Sequence, residues 1–75
     1  MGMWNLNRQP VQSSNLRSVG YDPDTNTLEI EFHHGGLYLY FDVPQNMYEG
    51  LMSAPSHGEF HAQYIKNRYR YQKIG

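Results

Sequence analysis

The chain has 75 residues, no cysteine and a formal net charge of −1, and 39% of its residues are hydrophobic and 15% aromatic. This length suits one domain with a modest core, and the aromatic content with the low net charge excludes an intrinsically disordered segment. No stretch approaches the ~20 apolar residues of a membrane span, and the first residues lack the pattern of a signal peptide. Because the absence of cysteine fits a reducing compartment, we expect a cytoplasmic protein without a membrane partner.

The N-terminal third is irregular. Residues 1–10 show no hydrophobic period, which predicts a flexible N-terminal arm before a domain over residues 11–75. Residues 11–21 alternate unevenly and predict an irregular strand with a bulge near Ser14. Residues 22–26 predict a turn, because proline presets φ and the Asp and Asn side chains hydrogen-bond to nearby backbone groups.

The next segment predicts a β-hairpin. Residues 27–32 alternate strictly between polar and apolar side chains, which is the pattern of a half-buried strand. Residues 33–36 end in two glycines and predict the hairpin connection, since glycine readily adopts positive φ. Residues 37–41 predict a third strand, with apolar or aromatic side chains on both faces.

The pairing register of this hairpin decides the environment of Tyr38 and Tyr40. If Phe32 pairs with Leu37, the two tyrosines lie beside the acidic residues of the preceding strand. A shift of one residue places them beside Phe32 and Ile30 instead. The sequence leaves both registers open.

Two short helices are predicted after the hairpin. Pro44 suits the first turn of a helix, and apolar side chains at helical spacing predict a helix over residues 45–54, which a proline ends. Ser56 and Glu59 form a capping box at the start of a second helix over residues 57–68.

The last residues, 69–74, alternate between aromatic or apolar and polar side chains, and we expect them to lie extended on the sheet. The predicted fold is therefore α+β. It consists of a three-stranded antiparallel β-meander followed by two short helices packed on one face, with a short C-terminal extended segment.

No constellation of residues predicts catalysis or a cofactor. Ser56 is already used as a helix cap, and the four histidines lack the cysteine or acidic partners of a metal centre. The adjacent glycines 35 and 36 lie in a hairpin rather than in a phosphate-binding loop. A domain this small also lacks the walls for a pocket of ~300 Å³. We therefore expect neither an enzyme nor a metal or cofactor site.

Charge is distributed unevenly along the chain. Residues 1–60 carry two arginines and all seven acidic residues, a net charge of −5. Residues 61–75 carry two lysines, two arginines and no acid, a net charge of +4. A basic end of this kind suggests an anionic partner, although it is also what the solvated face of a packed helix looks like.

Aromatic rings alternate with these cations, as they do on surfaces that stack nucleic-acid bases and neutralise phosphates. The candidate nucleic-acid-binding residues are four cations that would contact phosphates and three tyrosines that would stack on bases: Lys66, Arg68, Arg70, Lys73, Tyr71, Tyr38 and Tyr40. The alternative is that the tyrosines close the core while the cations are simply solvated.

Several short motifs occur together in a fixed order: Ser13-Ser14, Val19-Gly20-Tyr21-Asp22, the strand at 27–32, Gly36-x-Tyr38-x-Tyr40, Asp42-Val43-Pro44, Ser56-x-Gly58 and Tyr69-x-Tyr71. This ordered set is similar to the KTSC domain, which is named for its occurrence at the C-terminus of some lysyl-tRNA synthetases and also occurs alone in small bacterial proteins. The resemblance covers roughly residues 11–73. It implies a domain of unknown function for which RNA binding has been suggested, and it supplies no established site residues.

The sequence therefore favours a non-enzymatic binding module, expected to be a monomer. The first hypothesis is weak binding of RNA or tRNA through the basic aromatic C-terminal segment. The alternative is a protein-interaction module that docks a partner through a sheet edge or the aromatic face.

Overall fold

The structure is a computed structural model that describes residues 8–75. These residues form one antiparallel sheet in which the strands lie side by side in chain order. The elements in chain order are β1 (Gln9–Pro10), β2 (Leu16–Asp22), β3 (Thr27–Phe32), β4 (Leu37–Tyr40), α1 (Gln45–Ser53), α2 (His57–Phe60) and β5 (Tyr71–Lys73). No helix within residues 8–75 is long and apolar enough to cross a membrane.

The predicted α+β class and meander are confirmed, but the predicted number of three strands is wrong. The described residues form five strands, because a short strand is added at each edge of the meander. Strand β5 pairs with β4 and forms from the C-terminal segment expected to be extended. Strand β1 arises within the predicted arm, of which residues 1–7 lie outside the described residues.

Strand β2 begins later than the irregular strand predicted from residue 11. The Ser13 hydroxyl accepts hydrogen bonds from the backbone N–H groups of Asn15 and Leu16, at 3.1 and 3.2 Å. Such side-chain bonds compete with strand pairing, so the chain turns here before the ladder starts. The bulge lies between Leu16 and Ser18 rather than near Ser14, and it allows Leu16 and Val19 both to reach the core.

The β3–β4 hairpin adopts the second of the two registers considered. Phe32 donates its backbone N–H to Gly36 O at 2.8 Å, so Tyr38 lies opposite Ile30 and Tyr40 opposite Leu28. Because opposite residues point to the same face of a sheet, the two tyrosines share the face of the apolar residues of β3. This is the face that the helices cover.

The helices match the predicted order but not all of the predicted lengths. Ser56 caps α2 as expected, accepting from Glu59 N at 3.2 Å. However, α2 ends after four residues, and one π-helical turn follows it directly over His61–Ile65 (hereafter the π turn). Apolar side chains from the sheet, the connection before α1, α1 itself and the π turn form the core: Leu16, Val19, Leu28, Ile30, Phe32, Tyr40, Val43, Leu51 and Ile65.

The opposite face of the sheet carries a polar network instead of a helix. Glu29 has no exposed surface, and its carboxylate forms an ion pair with Arg8. Arg8 Nε also donates to Ser18 Oγ at 3.0 Å, and the Ser18 hydroxyl donates to Glu31 at 3.0 Å. Because a buried carboxylate needs a partner, Arg8 fixes the start of the described chain to the sheet.

Replacing Arg8 by methionine should strongly destabilise the fold, because the side-chain stem is kept while the buried Glu29 loses its counter-ion. We expect the free energy of unfolding, measured by urea denaturation, to fall by about 3 kcal/mol. The matched control is Arg17→Met. Arg17 lies 4.0 Å from Glu31 on a side chain that is 58% exposed, so its loss should change stability by no more than about 1 kcal/mol. Equal effects of the two substitutions would contradict this account.

Candidate aromatic groove

A groove of about 420 Å³ opens beside the helical face of the sheet. Strands β3, β4 and β5 form one wall, and the π turn with the residues after it forms the other. The expectation that so small a domain lacks the walls for a pocket is wrong. The missing walls come from β5 and the π turn, neither of which belongs to the meander itself.

Three tyrosine rings line the sheet side of this aromatic groove. Tyr71 lies opposite Tyr40 in the β4–β5 ladder, and their ring centroids are 5.9 Å apart. Tyr38 lies 5.8 Å from Tyr71 and 6.4 Å from Tyr40. Tyr40 is only 4% exposed whereas Tyr71 is 58% exposed. Tyr40 therefore forms the floor of the groove, and Tyr71 presents an accessible ring at its edge.

Gly36 allows the Tyr38 ring to lie against the hairpin. A Cβ atom at this position would come within 2.7 Å of Tyr38 Cε1 and 3.1 Å of the His34 ring. His34 in turn stacks on Phe32, with ring centroids 5.4 Å apart. Residue 36 must therefore be small for the rings at this end of the groove to pack as they do.

A buried hydrogen bond joins the two walls. The Tyr40 hydroxyl lies 2.8 Å from His61 Nε2. Burial, with a smaller contribution from Lys66, lowers the pKa of His61 to about 4. Burial, with smaller contributions from Tyr38 and Tyr71, raises the pKa of Tyr40 to about 12.

At neutral pH this pair is therefore a neutral phenol donating to a neutral imidazole. A general acid or base works best with a pKa near the operating pH, and both of these lie far from it. The arrangement suits a structural tie between the sheet and the π turn better than proton transfer.

The π turn determines which side chains reach the mouth of the groove. Lys66 donates its backbone N–H to His61 O at 2.9 Å, the five-residue spacing of a π-helix. Such turns are rare and occur frequently at functional sites. The turn buries His61 beneath the groove and leaves Lys66 and Asn67 exposed on its wall.

The structure separates the four predicted cations. Lys66 lines the groove, and Lys73 lies opposite Tyr38 in the β4–β5 ladder. Arg70 lies elsewhere, with its guanidinium 3.3 Å from Asp42 and 5.3 Å from the centre of the Phe41 ring. Arg68 is exposed in the turn before β5. The sequence-predicted basic segment is therefore not one continuous surface.

The acidic residues lie away from the groove. No carboxylate of residues 8–75 lines it, and Glu29 and Glu31 project from the other face of the sheet, where both form ion pairs with Arg8. The groove therefore presents lysine, histidine, amide and phenol groups to a ligand. This set of groups favours a neutral or anionic ligand over a cationic one.

Six groove-lining side chains were not among the predicted site residues: Asn15, Phe32, His34, His61, Ala62 and Asn67. Their positions depend on the hairpin register and on the π turn. In the sequence the histidines were assessed only as metal ligands, so His34 and His61 were not predicted to line a groove.

The histidines do not cluster. Within residues 8–75, no group of three histidine or acidic side chains is arranged to hold a metal ion. His33 lies 2.9 Å from Ser13 O, and His57 lies 2.7 Å from Leu51 O. The His34 ring stacks on the Phe32 ring at a centroid distance of 5.4 Å, and the His61 ring meets the Phe32 ring edge-on at 5.1 Å.

Comparisons of the chain with family models, known sequences and solved structures all point to the same family. The family model of the KTSC domain matches residues 12–69. An uncharacterized protein of Stutzerimonas stutzeri is 44% identical, over 92% of this chain and 99% of its own length. The crystal structure of a KTSC domain protein from Yersinia pestis superposes with a TM-score of 0.91 and 46% identity, covering 93% of this chain and 99% of that one.

The chain is also similar to part of a larger enzyme. A lysine–tRNA ligase of a Nostoc species is 36% identical over 63 residues, which is 84% of this chain but only 11% of the ligase. The shared segment is therefore a small portion of that protein.

The Tyr40–His61 tie should make stability depend on pH. The pKa of His61 is lowered from 6.5 to about 4 in the folded chain. Between pH 6.5 and pH 4, His61 of the unfolded chain therefore binds a proton that it does not bind in the folded chain. The free energy of unfolding should therefore fall, by about 3 kcal/mol, as the pH decreases from 6.5 to 4.

Urea denaturation across this pH range tests whether His61 causes this pH dependence. Carboxylates also titrate in this range, but their contribution is the same in all variants and cancels when the variants are compared. His61→Gln, which keeps a hydrogen-bonding side chain that does not titrate, should lose this component of the pH dependence. The matched control, exposed His33→Gln, should keep it. A pH profile of His61→Gln parallel to that of the unsubstituted protein would refute the role of His61.

Proposed function

This chain belongs to the KTSC domain family, and we propose that it is a non-enzymatic module that binds single-stranded RNA weakly, tRNA included, through the aromatic groove. The observation that carries the proposal is the position of Tyr71. Its exposed ring lies within 6 Å of two further tyrosines, in a groove that Lys66 also lines.

Aromatic rings of this kind suit an unpaired base. Proteins recognise single-stranded RNA by stacking splayed bases on exposed tyrosine, phenylalanine or histidine rings, often on the face of a sheet. Tyr38 and Tyr71 stand on adjacent strands β4 and β5, so a base entering the groove meets rings held by backbone pairing. Rings fixed in this way lose little entropy on binding.

The charges favour an anionic strand. Lys66 lines the groove, Lys73 lies opposite Tyr38 in the β4–β5 ladder, and no acidic side chain of residues 8–75 lines the groove. Two to four cations release few counter-ions, so affinity should be low and should fall with salt. Arg70 contributes less than the sequence alone suggests, because it already contacts Asp42.

The relatives support the same partner. A related segment is present in a protein named lysine–tRNA ligase, and a domain that is part of such an enzyme is close to the tRNA on which the enzyme acts. The segment that this chain matches is only 11% of the ligase, which is consistent with a binding role.

A second candidate function is docking of a protein strand at the sheet edge. Strand β5 is at one end of the described sheet, and its three residues are all exposed. A peptide added there would pair with backbone groups. That mode requires neither the Tyr71 ring nor the Lys66 charge, so the two functions respond differently to the same substitutions.

A titration of a fluorescein-labelled single-stranded RNA hexamer with the protein, measured by fluorescence anisotropy, tests the proposal. The salt concentration is varied over about 20–100 mM, a range in which electrostatic binding changes steeply. Tyr71→Ala should lower affinity about tenfold, the effect of losing one stacked base. Its control is Tyr64→Ala. Tyr64 is also exposed but packs on Phe60, outside the groove, so affinity should be unchanged.

A second pair of variants tests how much the charge of Lys66 contributes to RNA affinity. Lys66→Gln should flatten the slope of log affinity against log salt by about 0.7, the value for one phosphate contact to a single strand. Arg17→Gln, on the other face of the sheet, should leave the slope unchanged. Absence of binding at the lowest salt, or equal losses in the control variants, would overturn the proposed function.

A further inference from the structure

Resting on this proposed function, we propose that the groove holds one nucleotide in a fixed direction, with an adenine base recognised by the Asn15 amide and a phosphate at Lys66. The ligand is thus a single-stranded RNA that contains an unpaired adenine. The sequence already made Lys66 a candidate phosphate contact, whereas Asn15 and Gly58 were not among the predicted site residues.

The two polar ends of the groove are set apart by α2 and the π turn. Gly58, near the start of α2, lines one end together with Asn15, and Lys66 lines the other. The two residues are eight positions apart along the chain, which corresponds to at most about 12 Å at the 1.5 Å rise of an α-helix. Tyr38 and Tyr40 line the sheet side of the groove. A span of this length beside tyrosine rings suits one nucleotide rather than a long strand.

Two hydrogen bonds hold the backbone of Asn15 in place, and its side-chain amide is available to a ligand. Its N–H donates to Ser13 Oγ at 3.1 Å, and its carbonyl accepts from His33 N at 2.9 Å. Within residues 8–75 the side-chain amide forms no hydrogen bond. An amide so placed offers a donor and an acceptor side by side.

Gly58 is what allows the Asn15 amide to reach the groove. A Cβ atom at residue 58 would lie 2.9 Å from Asn15 Nδ2 and 3.6 Å from its Cβ and Cγ atoms. The side chain of Asn15 therefore packs directly on the backbone of α2. Any larger residue at 58 would push the amide out of its position.

The chemistry of the amide selects the base. Asparagine pairs in bidentate fashion with adenine, whose N6 amino group and N7 atom are an adjacent donor and acceptor. Guanine presents two acceptors on the same edge, so an amide satisfies only one of them. A purine also covers more of the half-buried Tyr38 ring than a pyrimidine does.

The test compares labelled uridine hexamers that carry a single adenine, guanine or cytosine at the third position, at low salt. We expect the adenine hexamer to bind about tenfold more tightly than the others, the discrimination of one good bidentate pair. Asn15→Ala and Gly58→Ala should each abolish the preference while retaining the weaker, Tyr71-dependent binding. Asn46→Ala, an exposed asparagine on α1, is the matched control and should retain the preference.

The outcomes separate the two proposals. Equal binding of all hexamers, with loss of binding in Tyr71→Ala, overturns the adenine inference and leaves RNA binding in place. Preference for adenine that survives both Asn15→Ala and Gly58→Ala also overturns it. No binding of any hexamer overturns the proposed function and this inference together. Because Asn15 is exposed, its alanine variant should fold even if Gly58→Ala does not.

Discussion

The hairpin between β3 and β4 turns Tyr38 and Tyr40 towards the helices, and the hydrogen bond from Tyr40 to His61 then ties the sheet to the π turn. With Phe32 bonded to Gly36 rather than paired with Leu37, both tyrosines join the apolar face of the sheet. The other register would have placed them beside Glu29 and removed Tyr40 from the core. The groove exists because Tyr40 fills its floor while Tyr71, opposite it on β5, remains exposed.

The two faces of the sheet differ in how they satisfy their polar groups. One face buries the Tyr40–His61 pair, in which neither group is charged near neutral pH because burial raises the pKa of one and lowers that of the other. The other face buries the charged Glu29 against Arg8. As a result the acidic residues of β3 lie on the side away from the groove, and the groove keeps a neutral to basic lining in a chain whose net charge is −1.

The sequence predicted the parts of this fold that depend on local patterns. Strand β3 and the Ser56 cap both appear as expected, because strand patterning and capping act over a few residues. The half-buried character expected of β3 is wrong, since Thr27 and Glu29 on its polar face are buried as well. It did not predict the π turn, since no local signal distinguishes a π-helical turn from an α-helical one. It also left the register open, because Leu39 makes both faces of β4 apolar. Leu39 is in fact buried at 1% exposure on the face that carries Glu29.

The same limits apply to the site. Tyr38, Tyr40, Tyr71 and Lys66 were predicted and lie together, because aromatic and basic residue types are visible in a sequence. Arg70 was predicted and contacts Asp42 instead, a pairing between residues 28 positions apart. Asn15 was missed because only the packing of its amide on Gly58 brings it to the groove.

A chemical-shift titration tests the central claim, that the groove is the binding surface, most directly. A ¹⁵N-labelled protein is titrated at low salt with a single-stranded RNA hexamer that contains one adenine. The account predicts that the largest backbone amide shifts fall on the groove: Asn15, Gly58, Ala62, Lys66, Asn67 and Tyr71. Shifts concentrated around Glu29 and Glu31, or no shifts at millimolar RNA, the scale of the weakest non-covalent complexes, would contradict it.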